Sequence, residues 1–363
     1  MLKGVIAMSL LRDYTSNQAK EIARLVFDEH FKFDAKLKSE MDERRQSAMY
    51  QDILYNLSYL EISIKLEDAF IFQDYAQWIY ELLCNLMPDL SRERIAQQMI
   101  DHYRILGEVI QRYPEIKTAD QMVALLKQAE LTTKAMIDAP QQVSTLVTGE
   151  WSEVRAQYLD RLLQNDTRGA IRTILEAVQS GVKIQDVYLN VFKDVMYEVG
   201  RLWHQNKISV DKEHYCTSVT QMAIAQFYTD IFSQPRINRK VLATCVGSEL
   251  HEMGIRMISD LFEYHGWDST YLGASVPLKD MMSAIKEHQP ELICLSVTMP
   301  HHLELCHQMI QTIRTQFPHI RIAVGGQAFT RSADLLTKWN VDFKGDDVSK
   351  LIHWATYKQR SLS

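Results

Sequence analysis

The chain has 363 residues, 46% of them apolar and 24% charged, with a formal net charge of −6. That length suggests two or three domains with real cores, and the negative balance gives no global reason to expect nucleic acid. No run of about 18 apolar residues marks a membrane span. The first residues, "MLKGVIAMSLLRDY", are briefly apolar but lack a clear small-residue cleavage site. They read as a helix start and not as a signal peptide. Five scattered cysteines, with no CxxC pair, point to reduced thiols and a cytoplasmic protein.

Up to about residue 238 nearly everything has helical period and little glycine. In residues 1–113, "AKEIARLVFDEHFKF" and "YQDILYNLSYLEISIKLEDAF" space apolar residues three and four apart. "DYAQWIYELLCNLMPDL" follows. Ser91 is placed to cap "SRERIAQQMIDHYRILGEVIQRY", and Pro114 follows its end. Residues 114–147 read as a connecting helix and a loop around Ala139–Pro140. These segments make an N-terminal helical domain, 1–147.

Residues 148–237 read as a four-helix bundle. Its pieces are "WSEVRAQYLDRLLQND", "TRGAIRTILEAVQSG", "KIQDVYLNVFKDVMYEVGRLW" and "VDKEHYCTSVTQMAIAQFYTDIF". Gly181 fits a helix stop. Val187, Val191, Val195, Val199 and Trp203 repeat every four residues, a stripe that ends on the indole.

Residues 238–363 alternate β and α. "KVLATCVG", "STYLGA", "LICLSVT", "RIAVGG" and "VDFKG" read as strands, each followed by a helical segment. Five such units fit an open parallel five-stranded sheet of flavodoxin or Rossmann-like type. The whole is α + α/β.

Ligands of such sheets bind at the carboxyl ends of strands. The first end is "VGSELHEMG", which is not the GxGxxG dinucleotide fingerprint. It projects His251, with Glu249 two residues earlier and Gly254 opening the next helix. A loop imidazole is a natural metal ligand, and a carboxylate on its second nitrogen fixes the tautomer. Taken alone, His251 reads as an ordinary residue of a surface loop in preference to a ligand. Ser296 and Thr298 end the third strand, and Gly325–Gly326 end the fourth, a small-residue set that leaves a narrow slot.

The order ExHxxG, SxT, GG resembles the cobalamin-binding Rossmann-like domain, whose commoner motif is DxHxxG, SxL, GG. The resemblance implies that His251 is the lower axial cobalt ligand and that Glu249 supports it. Ser296 and Thr298 then meet the displaced dimethylbenzimidazole tail, and Gly325 and Gly326 make room for it. Two positions depart from the motif, Glu for Asp and Thr for Leu. The four-helix segment before the sheet resembles the cap that covers the upper corrin face in methionine-synthase-type cobalamin proteins.

"WHQNKISVDKEH" places Trp203 and His204 ten residues before Glu213–His214. On its own it is a core stripe ending on Trp203 and an acidic first helical turn. It also resembles the light-sensing cobalamin photoreceptors, both the light-dependent transcriptional repressors and the photocobilins. That resemblance implies adenosylcobalamin as the cofactor. Trp203 then packs on the adenosyl group, Glu213 and His214 help hold it, and His204 ligates cobalt after photolysis. The expectation is a photoreceptor and not an enzyme, a homodimer whose assembly changes with light, acting on a downstream protein.

Residues 1–113 lack a recognition helix, a basic stripe or a β wing, so no direct DNA binding is expected. They resemble more the N-terminal helices of photocobilins, which pair cobalamin with a bilin such as biliverdin. Tyr75, Trp78, Tyr80, His102, Tyr103 and Arg104 are possible bilin contacts, or equally core and surface of a signalling bundle. "HHLELCH" (residues 301–307) reads as a solvated helix end in preference to a metal site. The rival reading is a corrinoid methyl carrier of a methyltransferase system, which shares His251 and the sheet. A third is a light-independent cobalamin sensor or carrier.

Overall fold

The computed structural model describes residues 17–34, 37–140, 144, 146, 148–330, 333–345 and 347–357. The apolar start at 1–14 lies outside them. The chain divides into two compact units, residues 1–141 with 204–206, and residues 142–203 with 207–363.

The first unit holds α1 (Asn17–Phe33), α2 (Leu37–Glu40), α3 (Glu43–Lys65), α4 (Ala69–Leu86), α5 (Arg92–Gln111) and α6 (Ala119–Ala135). The apolar period expected to run unbroken over 50–70 is cut. Glu67 takes a left-handed conformation (φ 53°), and the Asp68 side chain accepts the Phe70 N–H to start α4. Ser91 caps α5 as expected, accepting from Arg94 N. Helix α1 packs on α3 and α5, and α6 packs on α4 and α5. Tyr55, Phe72, Tyr80, Tyr103 and Leu106 fill the core between them.

The second unit begins with α7 (Ser152–Leu163), α8 (Thr167–Gln179), α9 (Ile184–Asp186), a π-helical segment (Val187–Phe192) and α10 (Lys193–His204). It continues with α11 (Val210–Ala225) and α12 (Tyr228–Phe232), which a break at Gln226–Phe227 separates where one helix was expected. Gly181, at φ 107°, ends α8, with its N–H on Val178 O and the Val182 N–H on Ala177 O.

The π segment explains the valine stripe. On an α-helix of 3.6 residues per turn, a four-residue repeat drifts by about 40° per step. A wider π turn takes up the drift, and Val187, Val191, Val195 and Val199 are all fully buried.

The sheet follows as β1 (Lys240–Cys245), α13 (Met253–Tyr264), β2 (Asp268–Gly273), α14 (Leu278–His288), β3 (Leu292–Ser296), α15 (Leu303–Gln316), β4 (Arg321–Gly325), α16 (Ala333–Lys338), β5 (Phe343–Lys344) and α17 (Val348–Tyr357). All pairings are parallel, in the order β2-β1-β3-β4-β5. The strand order reverses between β1 and β3, and at such a point a crevice opens at the carboxyl ends. The four-helix segment and the sheet share one core, in which Tyr188, Val191 and Phe227 join Ile255, Phe262 and Trp267. No helix among the described residues is long and apolar enough to cross a membrane. The five cysteines are free.

Candidate functional site

The strand ends at the reversal point lie in one register. Cys245 pairs with Ser296, and Ser296 pairs with Gly325. The loops after β1, β3 and β4 therefore leave the sheet at the same height. Val246 N–H donates to Ser296 O, and Val297 N–H donates to Gly325 O, extending the ladder one step further.

The loop after β1 carries Glu249 and His251. The Glu249 side chain is fully buried and that of His251 is 55% exposed. Glu249 Oε1 accepts both the backbone N–H of His251, at 3.1 Å, and His251 Nδ1. Its Oε2 accepts the backbone N–H groups of Thr298 at 3.0 Å and Met299 at 2.8 Å. Burial alone would raise the Glu249 carboxyl. The His251 bond and charge, with the amides of Met299 and His251, outweigh it and hold the group well below the ordinary carboxylate range. The same bond raises His251 against its own desolvation, and the charges of Glu249 and Glu213 add to it.

A carboxylate on Nδ1 keeps the proton there and leaves the Nε2 lone pair for a metal. Cys245 supports the loop by donating its Sγ–H to His251 O at 3.7 Å, and burial pushes this thiol up to about 12, so it stays protonated. A side chain at Gly254, in the first turn of α13, would meet no protein atom within 4 Å.

The glycine pair has a physical cause within the fold. Gly326 sits at φ 109°, and a Cβ there would fall onto the Val297 carbonyl oxygen. A Cβ at Gly325 would lie 2.8 Å from Gly345 O. These glycines let β4 and its exit loop approach the backbone of the neighbouring strand ends. Ser296 is the last residue of β3, and Thr298 lies just beyond it, where it contributes its N–H to Glu249.

His301 and His302 depart from the expectation of a solvated helix end. They form a 3-10 turn before α15 with 4% and 0% exposure. Their rings lie 4.2 Å apart, and a Cβ at Gly247 would come within 2.6 Å of His302 Nδ1. Burial lowers both imidazoles, His301 to about 3, so they sit neutral beneath the first loop. The sequence marks the histidine pair but not its burial, and it does not mark the Met299 amide. A backbone donor has no residue signature, and the repeated His after SxT was the only signal for the pair.

The cap residues lie at the end of α10 and the start of α11. Trp203 is half-buried near the end of α10. Glu213 lies in the first turn of α11, where Thr217 Oγ1 donates to its Oε1 at 3.0 Å and His214 Nδ1 lies 2.7 Å from its Oε2. Glu213 is close enough to His251 to act on its charge.

His204 counts with the first unit. Its ring stacks on Trp78 at 5.4 Å, its Nε2 lies 3.1 Å from Trp78 O, and Asn85 Nδ2 donates to its carbonyl. Of the other residues considered for a bilin, Tyr75, Tyr80 and Tyr103 are buried, and Tyr75 stacks on Tyr59 at 4.1 Å. His102 pairs with His30, and Arg104 is exposed beside Glu130.

Residues 239–351 match the family model described as B12 binding domain, and residues 154–228 match a second model of the same description. These two segments are B12-binding domains. A trimethylamine corrinoid protein of Methanosarcina mazei is 21% identical over 208 residues, 55% of this chain and 94% of that protein. The HTH-type transcriptional repressor CarA of Myxococcus xanthus is 23% identical over 120 residues, 33% of this chain and 41% of the repressor. The solved monomethylamine corrinoid protein of Methanosarcina barkeri shares the fold, with a TM-score of 0.51 at 14% identity, over 57% of this chain and 98% of that one. The donor set fits a corrinoid. One exposed imidazole with a buried carboxylate behind it suits a metal whose other ligands would come from the macrocycle and not from the protein.

Proposed function

We propose that this protein is an adenosylcobalamin-dependent light sensor and not an enzyme. His251 would hold the cobalt through Nε2, with Glu249 keeping the Nδ1 proton in place. Ser296, Thr298, Gly325 and Gly326 line the way for the nucleotide tail. Trp203 covers the upper group, with Glu213 and His214 beside it. When bound, the cofactor supplies a cobalt–carbon bond that visible light breaks.

His204 is the proposed upper ligand in the lit state. An imidazole whose Nε2 is bonded to the Trp78 carbonyl cannot bind a metal through that nitrogen. For His204 to hold the metal through Nε2 after illumination, it would have to give up its bond to Trp78 O. The observation that carries the reading is the first turn of α11, where Glu213 is bonded to His214 and Thr217 and its charge reaches His251. The partial match to the CarA repressor lends support.

The proposed output passes through the first helical unit to a downstream protein, with a homodimer that changes on illumination and without direct DNA binding. Biliverdin remains a proposed second chromophore. The packing of Tyr75, Tyr80 and Tyr103 into the core weighs against it, and a far-red band on its addition would restore it.

A second reading, a corrinoid methyl carrier, is favoured by the match over 94% of the trimethylamine corrinoid protein. Purified protein loaded with adenosyl- or methylcobalamin, followed by absorption and elution volume in darkness and green light, separates the two. Light breaks the cobalt–carbon bond of either form and changes both spectra; light sensing predicts an altered size on illumination for the adenosyl form alone. Equal size in dark and light would contradict it.

A further inference from the structure

We propose that Trp78 and Asn85 on α4 form a seat for the turn between α10 and α11, and that release of this turn is the event by which metal ligation by His204 reaches the core of the first unit. The inference deepens the light-sensing reading and rests on it for the ligand role of His204.

The chain leaves α10 at His204 and enters α11 at Val210, yet residues 204–206 count with the first unit. The His204 ring stacks on the Trp78 indole, with centroids 5.4 Å apart and planes at 30°. Its Nε2 lies 3.1 Å from Trp78 O, which only accepts, so this nitrogen carries a proton and donates. Asn85 Nδ2 donates to His204 O at 3.1 Å, and Asn206 Nδ2 donates to Asn85 O at 3.4 Å. The last bond serves a carbonyl in the final turn of α4, where helical partners run out. Trp78 and Asn85 are about two helical turns apart and so share one face of α4. Asn206 sits at φ 54°, a left-handed conformation that asparagine adopts more readily than most residues.

The seat borders a row of rings. Trp78 and Tyr75 lie 6.5 Å apart, and Tyr75, buried in the core, stacks on Tyr59 of α3 at 4.1 Å. Departure of the His204 ring changes the surroundings of Trp78 first, and Trp78 meets Tyr75. The seat is thus placed to pass the event from α4 to α3.

Seated and ligating His204 are two states of one residue. While the seated state predominates, a change that weakens the seat strengthens ligation by the same factor. The coupling is reciprocal, so ligation raises the share of molecules whose seat is empty. Trp78 and Asn85 are positioning residues.

The test uses the full chain loaded with hydroxocobalamin in darkness, a corrinoid whose upper position an imidazole can take. His204→Ala gives the spectrum without this ligand. The ratio of ligated to unligated His204 is read from absorption, with added imidazole as competitor where ligation is nearly complete. Asn85→Ala removes the bond to His204 O, and Asn206→Gly removes the bond to Asn85 O. Glycine takes φ 54° without strain, so the second variant keeps the turn. Each should raise the ratio about fivefold, the worth of one ordinary hydrogen bond. The second readout is the fluorine resonance of Trp78 in protein labelled with 5-fluorotryptophan, identified by its loss in Trp78→Phe. Hydroxocobalamin should move this line towards its position in His204→Ala. Adenosylcobalamin in darkness, whose upper position is taken, should leave it at its apo position.

A seat that only stabilises the fold lowers apo melting in both variants and leaves the ratio as it was. Unchanged ratios in both variants overturn the coupling alone, as does a Trp78 line that stays at its apo position while His204 ligates. A spectrum independent of His204 in wild type and both variants overturns the ligand role of His204 and the coupling with it. Failure of the wild type to bind hydroxocobalamin overturns the cobalamin reading itself.

Discussion

Ser296 and Gly325 are direct register partners at the carboxyl ends of β3 and β4, and the same row reaches Cys245 on β1. Each of these residues is the last of its strand. The loops bearing Glu249, Thr298 and Gly326 therefore start side by side.

The two kinds of glycine at this edge should respond oppositely to alanine. Gly326→Ala forces a side chain at φ 109° and onto the Val297 carbonyl. It should destabilise the apo protein by about 1–3 kcal/mol or more, read as a lower urea midpoint. Gly254→Ala meets no protein atom and should leave apo stability equal or raise it by about 0.4–1 kcal/mol. Its effect should fall on corrinoid affinity instead. Unchanged affinity in Gly254→Ala would remove this surface from the site.

Glu249→Gln keeps the length but changes the proton on His251. If the amide oxygen takes the Thr298 and Met299 N–H groups, the amide NH2 faces Nδ1 and makes it an acceptor. The proton then sits on Nε2, which no longer ligates. The expected loss is about 10–100-fold in affinity, with the spectrum of a protein lacking histidine ligation. A variant that stays histidine-ligated would show that Glu249 does not set the tautomer.

The first unit should be acid-sensitive. His30 Nε2 and His102 Nδ1 lie 2.9 Å apart, and burial lowers the two to about 4 and about 3. Unfolded histidine titrates near 6.5. As pH falls the unfolded chain takes up protons first, so the stability is complete above about pH 6.5 and is lost progressively down to the folded values. The full chain should lose up to about 1.4 kcal/mol per pH unit per histidine in this window. Urea midpoints at about pH 7.5 and about pH 5 measure it. The double variant His30→Leu, His102→Phe should make the profile less steep, leaving the share of the buried His301 and His302, and an equally steep profile would place the acid sensitivity outside this pair.

Trp203→Ala should discriminate between upper ligands. Under light sensing, the indole contacts the adenosyl group, and its loss should weaken adenosylcobalamin by about tenfold or more. Methylcobalamin should change much less. Equal losses for both would favour the methyl-carrier reading.

The alternation of strands and helices after residue 238 was legible because each run has its own period. His251, Glu249 and the glycine pair were legible because a sparse motif falls at strand ends. The π-helical segment was present as a four-residue valine repeat, but a period slightly above 3.6 passes for an α-helix. His301 and His302 read as solvated because polar residues at a helix start usually are, and only the fold buries them against Gly247. The amides of Thr298 and Met299 carry no side-chain signal. The sharing of one core by the four-helix segment and the sheet depends on contacts distant in sequence, such as Tyr188 Oη donating to Asp260 Oδ2.

The central claim is that His251 holds cobalt from below. The most direct measurement is the electron paramagnetic resonance spectrum of the cobalt(II) form bound to protein labelled with the heavy nitrogen isotope, with an unlabelled cofactor. Histidine ligation predicts that each cobalt line, split into a triplet by ordinary nitrogen, becomes a doublet in the labelled protein, and that His251→Ala abolishes the doublet. A triplet that persists in the labelled protein would mean that the cofactor's own base is still bound, and would contradict the account.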